Sequence, residues 1–337
     1  MSSFRPPAFL LVLRIGAAVV CLLALSGCTP IKVKLGMKVY LAKTPVASIA
    51  ASLPKGPGLA PGEKSPLVVV VTETDGKILQ TEGAGKGKVL WKDLQVTATV
   101  ATANQKGVVS LPKDPRISDG KLAHVTIAVP SHPDVHAADL DIPVRYNYAF
   151  VSNFSGSAGS SGMNGSDGMA GSSGSSGSTD PNNPSPGGNG GNGTNGSDGG
   201  DGGPGGDAPP VQVRVALRAG THPLLQVGVS AQGHQKLYLV DPEGGSLTVR
   251  ADGGAGGSGG KGGRGGQGGS GGMGSPSGSS GSSGSDGRNG FDGSPGRGGS
   301  ITVTYDPQVK PYLATIHLSN LGGPKPVFIE EPVAPLW

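Results

Sequence analysis

Glycine falls at every third position, eight times in succession, between residues 156 and 177. The phase breaks at STDPNNPSP and resumes at 187, 190, 193, 196, 199, 202 and 205. A second run keeps it from 254 through 272, misses at Ser275 and continues from 278 to 299. An extended backbone with three residues per turn places every third residue on one edge, so this phase gives each run an edge without Cβ atoms. Each segment divides into two legs of nearly equal length around turn-forming residues, STDPNNPSP in one and Gly274-Ser275-Pro276-Ser277 in the other. That arrangement predicts hairpins.

Three conformations compete for the legs. A flexible Gly/Ser linker satisfies the composition but has no reason to keep phase. A collagen-like trimer satisfies the period but needs abundant proline, and residues 253–299 hold only Pro276 and Pro295. Antiparallel legs of one chain, each a polyglycine-II or polyproline-II-like helix, satisfy both the phase and the return of the chain between SLTVRA (246–251) and SITVTYD (300–306). This bundle is the expectation, with disordered linkers and a collagen-like trimer as the alternatives. Legs 187–206 and 253–272 are rich in Gly-Gly, whereas 156–177 and 278–299 are mostly one-glycine triplets. Two bare edges suit a central position, so the Gly-Gly legs are expected inside. At about 3.1 Å per residue the bundle would be roughly 70 Å long.

Outside these segments the chain is β-like. PLVVVVTE (66–73), KILQTE (77–82), DLQVTATVA (93–101), GVVSLP (107–112), AHVTIAVP (123–130) and DLDIPVRYNY (139–148) are strand-like runs separated by turn clusters. Asp75-Gly76 marks a hairpin. IKVKLGMKVYL (31–41) alternates as a strand does, and SIAASLPKGPGLAPGEKSP is turn-rich. The stretch GLAPGEKSPLVVVVTETDGKILQT resembles bacterial immunoglobulin-like surface domains over roughly residues 42–150, which implies a β-sandwich. A small second β domain is expected from VQVRVALR (211–218), PLLQVGVS (223–230), KLYLVD (236–241) and SLTVRA, completed by SITVTYD and YLATIHLS (312–319).

The start of the chain carries an address. Arg5 and Arg14 flank a short apolar beginning, and Ile15–Leu25 is an apolar run too short to span a membrane as a helix. It ends in Leu25-Ser26-Gly27-Cys28, which resembles the bacterial lipoprotein signal. The resemblance implies removal of residues 1–27, lipidation of Cys28 and membrane attachment through that lipid. Cys21 leaves with the leader, so one cysteine remains and no disulfide forms within a chain. Thr29 follows the cysteine where an Asp often retains such lipoproteins at the inner membrane, so the implied location is the outer membrane or cell surface.

The expected organisation is therefore a signal peptide at 1–27, an anchor and first strand at 28–41, an Ig-like sandwich at 42–150 and a glycine-rich segment at 151–210. The second β domain follows at 211–251 and 300–337, interrupted by a second glycine-rich segment at 252–299. With 27 basic and 23 acidic side chains, charge gives no case for nucleic acid.

Chemistry-bearing motifs are sparse. Gly191–Gly196 lacks the strand and helix of a dinucleotide fingerprint, and Gly83–Lys88 lacks P-loop spacing. His132, Asp134 and His136 form the one cluster able to ligate a metal, and their loop context makes a polar connection the expected role. Asp167, Asp198, Asp201, Asp286 and Asp292 lack the apolar repeat of calcium-binding β-rolls. No cofactor or catalytic residue is assigned. The whole chain resembles glycine-rich, collagen-like bacterial surface lipoproteins. That likeness implies a non-enzymatic structural or adhesive role, with a cell-surface glycan or protein as partner. The alternatives are a binding module for a glycan or other extracellular ligand and, remotely, a metal-dependent enzyme using His132 and His136.

Overall fold

Strands and extended segments dominate residues 29–337, the part of the chain that the computed structural model describes. Two compact units divide between Tyr146 and Asn147. Among the described residues the sheets are open and the longest α-helix, Thr29–Lys34, has six residues. No helix there is long and apolar enough to cross a membrane.

The first unit contains β1 (Val46–Ser52), β2 (Lys64–Pro66), β3 (Val68–Glu73), β4 (Ile78–Gln80), β5 (Gln95–Thr99), β6 (Thr102–Ala103), β7 (Val108–Ser110), β8 (Ala123–Ala128) and β9 (Ala138–Ile142). They form three antiparallel sheets, ordered β1-β3-β4, β2-β7-β6 and β5-β8-β9. Period-two alternation turns Val69 and Val71 of β3 and Ala123, Val125 and Ile127 of β8 into one core, joined there by Leu41, Leu59, Val89 and Ile142. The Asp75-Gly76 turn links β3 to β4, with Gly76 at φ +86° and its amide donating to Glu73 O.

Two expectations for this unit need correction. Residues 31–41 do not form a strand. A short helix, Thr29–Lys34, is followed by a turn at Gly36 (φ +66°), and only Val39 makes a bridge, to Val89. Alternation needs a neighbouring strand to be useful, and Leu35 and Met37 remain exposed. Conversely, the turn-rich stretch hides β1 and β2: SIAAS gains a partner in β3 that its own small side chains do not announce.

The second unit contains β10 (Ala149–Asn153), β11 (Val211–Arg218), β12 (Leu224–Ala231), β13 (His234–Val240), β14 (Ser246–Arg250), β15 (Ile301–Tyr305), β16 (Ile316–Ser319) and β17 (Val327–Glu330). One sheet is ordered β10-β14-β16 and is wholly parallel. The other is ordered β13-β12-β11-β15-β17, antiparallel among β11, β12 and β13 and parallel among β11, β15 and β17. Val213, Val215, Leu225, Val227, Leu247 and Val303 are buried.

Here too the sequence reading needs amendment. β10 belongs to this unit rather than ending the first. The run 312–319 is not all strand, because Pro307 and Pro311 favour a 3-10 helix over Pro307–Thr315 and only Ile316–Ser319 pairs. The tail contributes β17, whose exposed edge is bounded by Pro326 and Pro332 and carries Glu330.

Each glycine-rich excursion leaves one sheet and enters the other. β10 runs into residues 156–177 (leg 1), and 187–206 (leg 2) runs into β11. β14 runs into 253–272 (leg 3), and 278–299 (leg 4) runs into β15.

Candidate functional site

The legs are joined laterally by backbone hydrogen bonds repeating every three residues. Leg 1 glycines donate to leg 3, from Gly156 N–H to Asp252 O at 2.9 Å up to Gly177 N–H to Met273 O at 2.6 Å. Leg 2 donates twice per triplet: Gly203 to Ser160 O of leg 1 at 2.7 Å, and Gly202 to Phe291 O of leg 4 at 2.8 Å. Leg 3 donates to leg 2 once per triplet, as Gly263 does to Ser197 O at 2.9 Å, and leg 4 donates to leg 3, as Gly287 does to Gly263 O at 2.8 Å. Among the described backbone bonds none joins leg 1 to leg 4. The two Gly-Gly legs are thus in contact with each other and with both serine-rich legs, and the second glycine of each leg 3 triplet is buried.

The reason lies in the missing Cβ. A Cβ on Gly156 would overlap the carbonyl oxygen of Gly206, and one on Gly263 that of Ser166. Chains this close gain interchain N–H···O bonds and Cα–H···O contacts together. The non-glycine positions point outward, and many have a second task. Their own amides face solvent, and side chains of the neighbouring leg accept from them.

This capping follows a pattern. The third residue of the first five leg 2 triplets is Asn189, Asn192, Asn195, Asp198 or Asp201, and each accepts from the leg 4 amide opposite at 2.7–2.9 Å, while Pro204 interrupts the row. Asp207 extends the row to Arg297. Asn164 and Asp167 of leg 1 accept from Lys261 and Arg264 of leg 3. Asp286, Asn289 and Asp292 of leg 4 accept from Gly265, Gly262 and Gly259. All five aspartates weighed as calcium ligands, Asp167, Asp198, Asp201, Asp286 and Asp292, accept a backbone amide of a neighbouring leg. The recurrence of Asn or Asp at one triplet position of leg 2 was the available signal for this role.

In the groove between legs 1 and 2 the caps are hydroxyls. Thr194 Oγ1 and Ser197 Oγ accept from Met169 and Ser166, both at 2.7 Å. The equivalent positions in the other leg 2 triplets are glycine. Opposite them the amides of Ser157, Ser160, Met163, Ser172 and Ser175 have no partner among the described residues.

Asp252 ties the base of the legs together. Its Oδ1 accepts from Ser319 Oγ at 2.6 Å and Leu321 N–H at 2.8 Å, and its backbone carbonyl receives Gly156. Desolvation works to raise its carboxyl, but the Ser319 hydroxyl, the Leu321 amide and the charge of Arg250 outweigh it and hold it below the ordinary carboxylate value.

His132, Asp134 and His136 sit on the connection between β8 and β9, and His132 Nδ1 lies 3.0 Å from Ser131 Oγ. Among the described residues no group of three or more His, Cys, Asp or Glu side chains is placed to hold a metal. The closest approach of such groups was not singled out by the sequence: His124 on β8 lies between Asp141 (Nδ1 to Oδ1, 2.7 Å) and Asp139 (Nε2 to Oδ1, 3.1 Å) of β9. The hydrogen bond to Asp141, reinforced by Asp139, raises the imidazole above its ordinary value. All three side chains are substantially solvent-exposed. Cys28 and the leader lie outside the described residues.

No family model, curated protein or solved structure matches the chain.

Proposed function

We propose that this chain is a non-enzymatic, lipid-anchored envelope protein whose second unit displays a four-legged bundle of polyglycine-II-type helices, in a structural or adhesive surface role. On this reading the first unit is an Ig-like sandwich, Cys28 carries the lipid, and the location is the outer membrane or cell surface. One observation carries the proposal: the parallel strand pairs and the legs above them share one register. Ala149 pairs with Ser246 in the sheet, and Ser161 meets Ser258 in the legs at the same separation of 97 residues. Val211 pairs with Ile301, and Asp198 meets Arg288 at the same separation of 90 residues. A flexible linker has no means of inheriting a register from a sheet. A homotrimeric collagen would place its bonds between chains rather than between these legs.

The regular, side-chain-poor surface of such a bundle suits contact with an extended partner more than binding of a small molecule in a pocket. The test is a pair of measurements on the full chain in its bacterial envelope. Cys28→Ala is expected to abolish fatty-acid labelling and release the protein from the membrane fraction. An epitope inserted at 181–184, the turn between legs 1 and 2, is expected to be accessible on intact cells. Retention of Cys28→Ala in the membrane, or an epitope reached only after cell disruption, would overturn the corresponding half of the proposal.

A further inference from the structure

The groove between legs 1 and 2 differs from the other three outer grooves in its charge, and it also leaves amides open and exposes two methionines. It carries no charge: leg 1 contributes five serines and two methionines, and leg 2 contributes five glycines with Thr194 and Ser197. The other grooves hold Asp167 with Lys261, Asp198 with Arg288, and Asp286 with Asp292. Its amides are incompletely capped, a property it shares with the groove between legs 1 and 3, where among the described residues the amides of Ala255, Ser258, Gln267 and Ser270 have no partner. Its two methionines, Met163 and Met169, are 83% and 78% exposed and stand two triplets apart on the same edge.

A Cβ in this row needs only small adjustments of its neighbours. A Cβ at Gly200 would meet nothing nearer than the Met163 amide nitrogen at 3.3 Å. At Gly203 and Gly206 the nearest atoms would be the hydroxyls of Ser160 and Ser157, at 2.7 and 2.8 Å, the movable ends of small side chains. Thr194 and Ser197 occupy the same row. Glycine at the remaining positions leaves the surface low and its donors open.

We propose that this groove is the interface for a second copy of this chain, packed groove to groove about a two-fold axis. The inference rests on the bundle reading above. Both copies carry the same triplet repeat of about 9 Å, so donors of one and acceptors of the other stay in step along the whole leg. Serine hydroxyls are acceptors as well as donors, so the hydroxyls of one leg 1 can cap the open amides of the other. An isologous contact uses the same patch on both partners, which an uncharged surface permits without like-charge repulsion. Seven triplets span about 65 Å. At a width of about 10 Å, that of two hydrogen-bonded extended backbones side by side, the contact buries roughly 1,300 Å² in total, inside the range of specific interfaces. The two methionines supply adaptable apolar contact. A polysaccharide fits less well, because the groove offers neither an aromatic ring nor a charged group to hold a sugar.

The experiment is cysteine crosslinking of the full chain in native membranes, with the unmodified chain as background. Ser160→Cys is expected to give a dimer with a short bismaleimide, and Ser282→Cys, between legs 2 and 4, is expected to give none. Adding Gly200→Lys to Ser160→Cys places a charge where a Cβ has room, and is expected to reduce the crosslink at least tenfold. Monomer only, equal crosslinking from both cysteines, or protection of Ser160→Cys by added cell-wall glycan without any dimer would each overturn the proposal. Gly199→Ser separates the two readings. If it leaves the thermal transition of the chain unchanged, the bundle itself is wrong. If it lowers the transition while Ser160→Cys stays monomeric, only the interface is wrong.

Discussion

Asp167 Oδ1 accepts the backbone amide of Arg264 at 2.8 Å, across 97 residues of sequence. The same separation relates Ala149 to Ser246 in the parallel sheet below. The sheet therefore acts as a template: once β10 and β14 pair, each later residue of legs 1 and 3 has its partner assigned. Extended strands rise about 3.3 Å per residue and polyproline-II helices about 3.1 Å. On the polyglycine-II reading proposed above, the two conformations are close enough in pitch for parallel neighbours to pass from one to the other together.

Adjacent glycines in one triplet should respond oppositely to substitution. A Cβ on Gly199 would overlap the Gly260 carbonyl oxygen, whereas Gly200 has space beside Met163. Gly199→Ser is expected to cost about 1–3 kcal/mol, the usual range for forcing atoms into a packed interior. Gly200→Ser is expected to stay within about 0.5 kcal/mol of the parent, as exposed substitutions usually do. Its hydroxyl should cap the Met163 amide as Ser197 caps Ser166, so hydrogen exchange at Met163 should slow while denaturation midpoints report the stability difference.

The capping side chains should be detectable amide by amide. Asn192→Ala removes the acceptor for Ser282 N–H, which lies 2.8 Å from Asn192 Oδ1. The expected loss is about 0.5–1.5 kcal/mol, that of an ordinary hydrogen bond. Exchange at Ser282 should quicken, with Ser285 unchanged because Asn195 still covers it.

Asp252 should make the second unit sensitive to acid. Its carboxyl is held below the ordinary value, so its contribution is complete above an unfolded carboxylate pKa of about 3.9 and is lost as pH falls through the lower folded value. Asp252→Asn is expected to be less stable than the parent at neutral pH, and the gap should narrow as pH approaches 3. Urea midpoints across that range check the sign.

His124 should behave in the reverse sense. Its imidazole is raised by Asp141 and then Asp139, so its contribution is complete below about 6.5 and is lost as pH rises through its higher folded value. In NMR titrations its ring should ionise above 6.5, and Asp141→Asn should shift it downward.

Local pattern accounts for much of this molecule. The strands β8, β11 and β14 follow from alternation of apolar with polar residues, β3 from an unbroken run of valines, and the Asp75-Gly76 turn from the conformational freedom of glycine. Strict glycine phase, interrupted only at Pro-bearing turns, already implied legs with bare edges and placed the Gly-Gly legs where two edges are needed.

Tertiary structure decided what no single segment contains. The alternation of 31–41 promised a strand, but no neighbour pairs with it beyond Val39. SIAAS promised a turn and became β1 because β3 lies beside it. Which amide each Asn and Asp of legs 1 and 2 covers depends on a partner 97 or 90 residues away, set by sheet pairing rather than by any local preference, whereas Asp286, Asn289 and Asp292 cover amides 21, 27 and 33 residues away in leg 3. The open groove between legs 1 and 2 belongs to the same class. Glycine at 188, 191, 200, 203 and 206 looks like every other glycine in its leg, and only the packed bundle separates those that must be bare from those that leave a surface open.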